Sequence, residues 1–209
     1  MKNQNRRMFL KSLGALSAVA FSDVWMGQTV LADSTNAPPD LFDPGNLDLM
    51  FWLQPRTVNW IRPQSGERLS VTYWQDGHLN PFAYEEICHL LRDVQANQLF
   101  SIDTKLIDTL WAAQAFMQRF GFFQPLEITS GFRSAHTNEH LIERGLPAAR
   151  NSLHLRGQAA DFRIPGLHPE VLGQLMQAFR VGGVGFYYRV GAKGGWIHAD
   201  TGPEREWRG

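Results

Sequence analysis

Two short segments near the end of the chain carry residues of the kinds that bind metal ions. His154 and Asp161 lie in Asn151-Ser-Leu-His-Leu-Arg-Gly-Gln-Ala-Ala-Asp-Phe162, and His198 lies in Gly195-Trp-Ile-His-Ala-Asp-Thr-Gly202. Two imidazoles and one carboxylate form a three-ligand set, which leaves the fourth tetrahedral position of zinc open for water, as catalytic sites require. The fold must therefore bring the two segments together. We expect one zinc ion per chain and, as the first hypothesis for function, hydrolysis.

Local patterns predict a chain of mixed strands and helices. The first half contains two β-rich runs joined by a hairpin and two helices, the first beginning at Pro81 and the second capped by Asp103. The second half alternates short strands and helices and ends in a hairpin. The predicted strands are 58–61, 68–74, 126–129, 158–164, 184–188 and 196–200; the predicted helices are 81–92, 103–119, 137–144 and 168–180. This order predicts an α+β fold with a small, largely antiparallel sheet and flanking helices.

Composition limits the number of domains and the classes of partner. With 209 residues, of which 44% are hydrophobic, the chain has enough apolar material for one core and little room for two. We expect a linker over 33–50 and one domain over 51–209. Lys plus Arg equals Asp plus Glu at 20 each, so nothing indicates nucleic acid or an anionic membrane surface as a partner.

The N-terminal segment has the form of an export signal. Residues 5–11, Asn-Arg-Arg-Met-Phe-Leu-Lys, match the twin-arginine pattern and precede a weakly apolar stretch. That stretch ends at Val30-Leu-Ala32, which has the small final residue of a signal-peptide cleavage site. Cleavage there makes Asp33 the first residue of the mature protein. The segment predicts a signal peptide over 1–32, contact with the twin-arginine translocation machinery during export, and a periplasmic protein without a stable membrane anchor after processing.

Strand alternation adds a further acidic residue to the site. In the predicted strand 196–200, Trp196, His198 and Asp200 share one face. Asp200 is therefore available if His198 binds the metal. It can either orient a ligand or accept a proton.

The combined motifs resemble a known family of zinc peptidases. Ser152-x-His154-x(2)-Gly157-x-Ala159-x-Asp161, preceded by Ser130-Gly-Phe-Arg-Ser134 and followed by His198-x-Asp200, is similar to the D-Ala-D-Ala carboxypeptidase and hedgehog-like superfamily. Within it the chain looks most like the exported murein endopeptidase K branch, over about 52–207. The resemblance implies that His154, Asp161 and His198 bind zinc, that Arg133 binds the substrate or the developing oxyanion, and that the substrate is a peptide of peptidoglycan.

One position departs from the pattern of that superfamily. Its dipeptidases and carboxypeptidases carry a glutamate as general base three residues before the last histidine ligand, and here that position is Gly195. The resemblance therefore leaves the base unassigned. Asp200 is the candidate, with support of His198 as its alternative role, and a tyrosine of Phe186-Tyr-Tyr188 is the next choice.

Other interpretations of the sequence remain open. His136-Thr-Asn-Glu-His140 matches the inverted zinc-protease pattern, although the short segment favours solvated histidines on a helix surface. A carboxypeptidase that trims stem peptides and a non-catalytic zinc module that binds peptidoglycan are the alternative functions. The three-ligand set, Arg133 and Asp200 together favour the murein endopeptidase.

Overall fold

The computed structural model describes residues 49–188 and 194–209 and folds them around one mixed sheet. The strands, in chain order, are β1 (Arg56–Arg62), β2 (Glu67–Gln75), β3 (His78–Leu79), β4 (Leu126–Ser130), β5 (Ala159–Arg163), β6 (Gly183–Tyr187), β7 (Trp196–Asp200) and β8 (Arg205–Arg208). The helices are α1 (Leu49–Leu53), α2 (Pro81–Leu90), α3 (Thr104–Gln118), α4 (Ala135–Glu143) and α5 (Pro169–Phe179), together with a 3₁₀ helix over Leu153–Arg156.

The strands form an eight-stranded sheet in the order β3-β2-β1-β4-β5-β7-β6-β8. Neighbours run antiparallel except for the pairs β1/β4 and β6/β8, which are parallel. The predicted α+β class with a largely antiparallel sheet is therefore confirmed. The sheet is larger than predicted because the short strands β3 and β8 extend its two edges.

The helix starts follow from their capping residues. Asp103 accepts a hydrogen bond from the Lys105 amide at 2.9 Å, which confirms it as the N-cap of α3. Pro81 begins α2 directly after the cap residue Asn80, as predicted. His168 caps α5, because its Nδ1 accepts a hydrogen bond from the Glu170 amide.

The core lies between the sheet and α3. Most of the surface of α3 is buried, and the buried residues include the stripe that the helical spacing predicts, Leu106, Leu110, Ala113 and Met117. Gln114, also buried, joins α3 to the sheet, because its amide accepts a hydrogen bond from the backbone of Asn59 and donates one to the carbonyl of Thr57. A buried polar side chain with both groups paired costs little and fixes the position of the helix along β1.

The central strands position the candidate ligands. Asp161 on β5 pairs with Ser130 on β4 and with His198 on β7. The sequence predicts a polar loop at His154, but in the structure His154 lies in the 3₁₀ helix. Gly157, the residue after this helix, caps its carboxyl end. Gly157 has a φ of +65°, and a Cβ at this position would lie 2.3 Å from the Ser101 carbonyl oxygen. Only glycine fits this turn, which leads the chain from His154 into β5.

Parts of the sequence predictions lie outside the described residues. These parts are the signal peptide, nearly all of the linker, and most of the hairpin loop 189–194. In the part of the chain that is described, no helix has the length and apolar character needed to cross a bilayer.

Candidate metal centre

Three buried side chains converge as the sequence predicts. His154 Nε2 lies 3.2 Å from His198 Nδ1 and 3.3 Å from Asp161 Oδ1, and His198 Nδ1 lies 3.0 Å from Asp161 Oδ1. Ligands about 2.0 Å from a tetrahedral zinc ion lie about 3.3 Å from one another. The triangle therefore has the size that one face of a zinc coordination sphere needs. Among the described residues, these three form the one histidine and carboxylate group that could hold a metal ion.

The remaining ring nitrogens of both histidines are held by acceptors. His154 Nδ1 lies 2.6 Å from the Gly131 carbonyl oxygen, and His198 Nε2 lies 2.9 Å from Asp200 Oδ2. A carbonyl and a carboxylate can only accept, so each ring donates outwards from these atoms and turns its other nitrogen toward the triangle. This outer hydrogen bonding is typical of histidines that bind metals.

Electrostatics favour the ligating forms of two of the three residues. Burial lowers the pKa of His154 and so favours its neutral imidazole. Burial alone raises the pKa of Asp161, but the neighbouring His154 and His198 hold that pKa well below its usual value. For His198, burial is outweighed by hydrogen bonds to Asp161 and Asp200, which raise its pKa. A neutral His154 and an ionised Asp161 are the forms that ligate a metal ion, whereas His198 must give up a proton to do so.

Arg133 contacts the site through Asp161. Its Nη2 donates to Asp161 Oδ2 at 2.6 Å and its Nε donates to Ser130 Oγ at 2.9 Å, while its backbone amide donates to the His154 carbonyl. The side chain is 9% exposed and lines the cavity beside the ligands. These contacts leave Asp161 Oδ1 to face the two histidines. They also leave Nη1 of Arg133 without an acceptor in the described part of the chain.

Asp200 lies behind His198 and is fully hydrogen bonded. Its Oδ2 accepts from His198 Nε2 and from Arg205 Nη2, and its Oδ1 accepts from the Gly183 and Gly202 amides and from Arg205 Nη1. Burial raises the pKa of Asp200, but the hydrogen bonds from His198 and the two amides outweigh it and lower that pKa to about 2. Of the two roles that the sequence leaves open for Asp200, this geometry favours support of His198.

Gly195 has a structural reason to lack a side chain. Its φ is +118°, and a Cβ would lie 2.5 Å from the Tyr188 Cβ and 2.7 Å from the Tyr187 carbonyl oxygen. No glutamate fits this position in the present backbone. The departure noted in the sequence is therefore built into the path of the chain that enters β7.

A cavity of about 580 Å³ opens onto the three candidate ligands. One wall is aromatic, because Tyr187 and Trp196 stack with ring centroids 5.3 Å apart and Trp207 donates from Nε1 to the Tyr187 hydroxyl at 2.9 Å. The lining also includes the polar residues Arg62, Gln64, Thr129 and Ser130. Such a site has room for a peptide and places it against both apolar and charged groups.

The other candidate metal motif does not form a site in the structure. His136 and His140 lie on α4 and are exposed, as the sequence analysis expects for solvated histidines. Several residues at the centre have roles that the sequence does not show. Gly131 lies in the Ser130–Ser134 motif, but nothing there indicates that its carbonyl holds His154, and Arg205 lies in no motif. The structure also separates the two tyrosines, because Tyr187 lines the cavity while Tyr188 hydrogen bonds with Glu170.

Comparisons with known proteins show that the chain is similar to peptidoglycan peptidases. Residues 52–207 match the family model described as peptidoglycan L,D-endopeptidase MepK. The chain is similar to the protein of that name from Escherichia coli K12, with 34% identity over 157 residues, which is 74% of this chain and 81% of the relative. It is also similar to the probable peptidoglycan L,D-endopeptidase MepK of Haemophilus influenzae, with 29% identity over 208 residues, 99% of this chain and 97% of the relative.

Proposed function

The chain belongs to the peptidoglycan L,D-endopeptidase MepK family of peptidases, and we propose that it hydrolyses peptide cross-links between the stem peptides of peptidoglycan with a bound zinc ion. The observation that carries this proposal is the triangle of His154, Asp161 and His198 at the base of a peptide-sized cavity. Its relatives are named for cleavage of a bond between an L- and a D-configured residue. We assign the same bond to this chain.

The donor set fits zinc better than other common divalent ions. Mg²⁺ and Ca²⁺ take six or more oxygen ligands, whereas two imidazoles and a single carboxylate suit zinc in tetrahedral geometry. His154 Nε2, Asp161 Oδ1 and His198 Nδ1 are the atoms that would hold it. When bound, zinc lowers the pKa of a coordinated water to about 7 and polarises the scissile carbonyl as a Lewis acid.

The residues around the ligands divide the remaining work of hydrolysis. Gly131 and Asp200 fix the two imidazole rings, so that the lone pairs of the facing nitrogens stay aimed at one point. Arg133 holds Asp161 and can turn its Nη1 toward the substrate carbonyl oxygen, where a positive charge stabilises the negative charge that develops.

Tyr187 is the residue we propose for donating a hydrogen bond inside the cavity. Its hydroxyl accepts a hydrogen bond from Trp207 Nε1, so its own proton remains available for another acceptor. Tyr187 also lines the cavity, unlike Tyr188. A hydrogen bond from Tyr187 to the carbonyl oxygen or the departing amine would assist bond cleavage. Asp200 is a poor base here because its oxygens already accept five hydrogen bonds.

Digestion of purified sacculi tests the proposed function. Mass spectrometry of the muropeptides should show a loss of cross-linked dimers and a gain of monomers of unchanged length. A chelator should abolish the change and added zinc should restore it, and His136→Ala should behave as the unmodified protein. Unchanged dimers with shortened monomers would identify a carboxypeptidase instead. Binding to sacculi without any cleavage would identify a non-catalytic module.

We also propose that the chain reaches its substrate by the twin-arginine pathway. The support is the motif over residues 5–11 and the location of peptidoglycan outside the cytoplasmic membrane. Processing after Ala32 leaves a periplasmic protein that begins at Asp33.

A further inference from the structure

Arg62 is a buried cation in the wall of the same cavity. It is the last residue of β1 and points to the same face as Val58 and Trp60, so that only 3% of its surface is exposed. Because β1 and β4 run parallel, their carboxyl ends lie at the same end of the sheet. Arg62 therefore lies beside the end of β4, next to the strand that carries Asp161.

The guanidinium of Arg62 has few partners. A guanidinium carries five N–H groups. Within the described ranges, the guanidinium of Arg62 makes one hydrogen bond, from Nη2 to Gln64 Oε1 at 3.3 Å. Nε and Nη1 are buried without an acceptor among the described residues. Burial lowers the pKa of Arg62 to about 10, so the group remains charged at neutral pH. A buried charge without a counter-ion is unfavourable in the free protein.

The carboxylates near Arg62 are each committed to another partner. Asp161 is paired with Arg133, and Glu67 is paired with Arg92 at 2.8 Å. Asp93 accepts hydrogen bonds from the backbone amides of Gln95, Ala96 and Ser134. None of the three forms an ion pair with Arg62 in the described part of the chain. The charges of Asp161, Asp93 and Glu67 thus act on Arg62 only from a distance, and its guanidinium has no carboxylate in direct contact among the described residues.

A second polar group close to this end of the sheet is also unpaired. Thr129 precedes Ser130 near the end of β4, and its Oγ1 is buried without a hydrogen-bond partner. Both Thr129 and Arg62 line the cavity. The cavity therefore offers a hydroxyl and a guanidinium that lack acceptors, on neighbouring strands. Buried polar groups without partners are rare in folded proteins, and each one calls for an explanation; a ligand bound in the cavity would supply acceptors to both.

We infer that Arg62 binds a free carboxylate of the peptide substrate and makes the enzyme selective for substrates that carry it. The inference rests on the proposed function for the identity of the substrate as a peptide. A carboxylate matches the charge and the planar donor arrangement of a guanidinium. Gln64, an exposed side chain with one long hydrogen bond to Arg62, supplies a neutral acceptor that the carboxylate replaces.

A stem peptide carries two kinds of carboxylate, one at its C-terminus and others on side chains. Substrates in which one kind is amidated show which of them Arg62 binds. A synthetic cross-linked peptide is prepared in three forms: with all carboxylates free, with the C-terminal carboxylate amidated, and with the side-chain carboxylates amidated. One of the two amides should be cleaved with a kcat/KM about 10- to 100-fold lower than the free peptide, the effect of losing one charge-assisted hydrogen-bonded pair. The form that is affected identifies the carboxylate that Arg62 binds.

Arg62→Met tests the residue itself, because it keeps the length of the side chain and removes the charge. This variant should lower kcat/KM on the free peptide by the same factor and leave cleavage of the affected amide unchanged. Arg62→Lys should retain part of the selectivity. Gln64→Ala is the matched control, because it removes the competing acceptor and leaves Arg62 in place, and it should keep the selectivity in full. Zinc content and melting temperature of all variants should equal or exceed those of the unmodified protein.

A measurement of peptide binding tests the role of Arg62 independently of the proposed reaction. Calorimetry on the full-length zinc-loaded protein, with a linear stem peptide in free and amidated forms, should show a preference for the free form that Arg62→Met removes. If no peptide is cleaved but this preference is present, the proposed reaction is wrong and the role of Arg62 stands. If Arg62→Met weakens every form equally, or the unmodified protein does not distinguish the forms, the inference is overturned.

Discussion

His198 is fixed between two carboxylates, and the one that does not face the triangle is Asp200. The distance from His198 Nε2 to Asp200 Oδ2 is 2.9 Å, and the opposite ring nitrogen, Nδ1, lies 3.0 Å from Asp161 Oδ1. Because Asp200 accepts the proton of Nε2, it selects the tautomer in which Nδ1 carries a lone pair. Asp200 is therefore placed to act on the candidate metal centre through His198.

This relationship predicts the effect of Asp200→Asn. Loss of the negative charge weakens the hold on the His198 ring and lowers the basicity of Nδ1, so the zinc dissociation constant should rise about 10- to 100-fold. Peptidase activity should recover when zinc is added. Competition with a chelator measures the affinity. Arg205→Met is the control, because it removes two hydrogen bonds to Asp200 and leaves the contact with His198.

The alternative role for Asp200 gives a different result. If Asp200 accepts a proton during hydrolysis, Asp200→Asn should retain zinc affinity and lower kcat by about 10²–10⁴. Arg133→Ala should in either case reduce kcat/KM more than it reduces zinc content, because Arg133 is proposed to contact the substrate but also donates a hydrogen bond to Asp161.

The ligand assignment predicts the zinc content of three variants. The protein should bind about one zinc ion per chain, and His154→Ala, Asp161→Ala and His198→Ala should each reduce the content to near zero, because two remaining ligands retain the ion poorly. Metal analysis after gel filtration measures this. His136→Ala and His140→Ala, on the exposed face of α4, should keep full content. Loss of zinc in either of these would move the site to the inverted motif.

The backbone that enters β7 predicts different losses of stability when two adjacent glycines are replaced by alanine. Gly194 and Gly195 have φ values of +119° and +118°, but a Cβ on Gly194 meets no atom within 4 Å, whereas one on Gly195 lies 2.5 Å from the Tyr188 Cβ. Both alanine variants carry the backbone strain, and only Gly195→Ala adds the collision. The free energy of unfolding of Gly195→Ala, measured in urea, should be about 1–3 kcal/mol lower than that of Gly194→Ala. Equal values for the two variants would show that the backbone moves to accept the side chain.

The ligand types and most core elements could be predicted from the sequence because each has a local cause. Asp103 caps α3, Pro81 begins α2, and the alternation along β7 places His198 and Asp200 on one face. The distances in the triangle could not be predicted. They depend on the register between β5 and β7, which pairs Asp161 with His198 and is set by contacts between segments far apart in the chain.

The missed elements lack local signals. Strand β8 reads Arg-Glu-Trp-Arg and β3 has only His78 and Leu79, so neither shows a hydrophobic alternation. Arg62 stands in the sequence at the start of a polar hairpin, where an exposed side chain is the ordinary expectation. Its burial results from the packing of β1 against the rest of the fold.

The proposed export signal predicts where a double variant should be found. Arg6→Lys with Arg7→Lys keeps the charge and removes the paired guanidinium groups that the twin-arginine receptor reads. The variant should accumulate in the cytoplasm as the uncleaved precursor, which fractionation and mass spectrometry would detect. Arg92→Lys, in the folded part of the chain, should be exported normally. A periplasmic amount equal to that of the unmodified protein would exclude this route.

Acid should reveal the contribution of Glu170, which joins α5 to β8. Hydrogen bonds from Arg208 above all, and from Tyr188 and Gln174, outweigh burial and lower the pKa of Glu170 from 4.5 to about 2. A carboxylate whose pKa is lower in the folded state stabilises the fold fully above its unfolded pKa, and this stabilisation is lost as the pH falls toward about 2. Since the Arg208 side chain is 55% exposed, we expect this contribution to the free energy of unfolding to be only about 0.5–1 kcal/mol.

Glu170→Gln should therefore be less stable than the unmodified protein at pH 7, and the difference in stability should close between about pH 4.5 and 2. Urea unfolding across this range measures it, with Glu139→Gln on the exposed face of α4 as control. A constant gap at every pH would assign the loss to side-chain packing instead of charge.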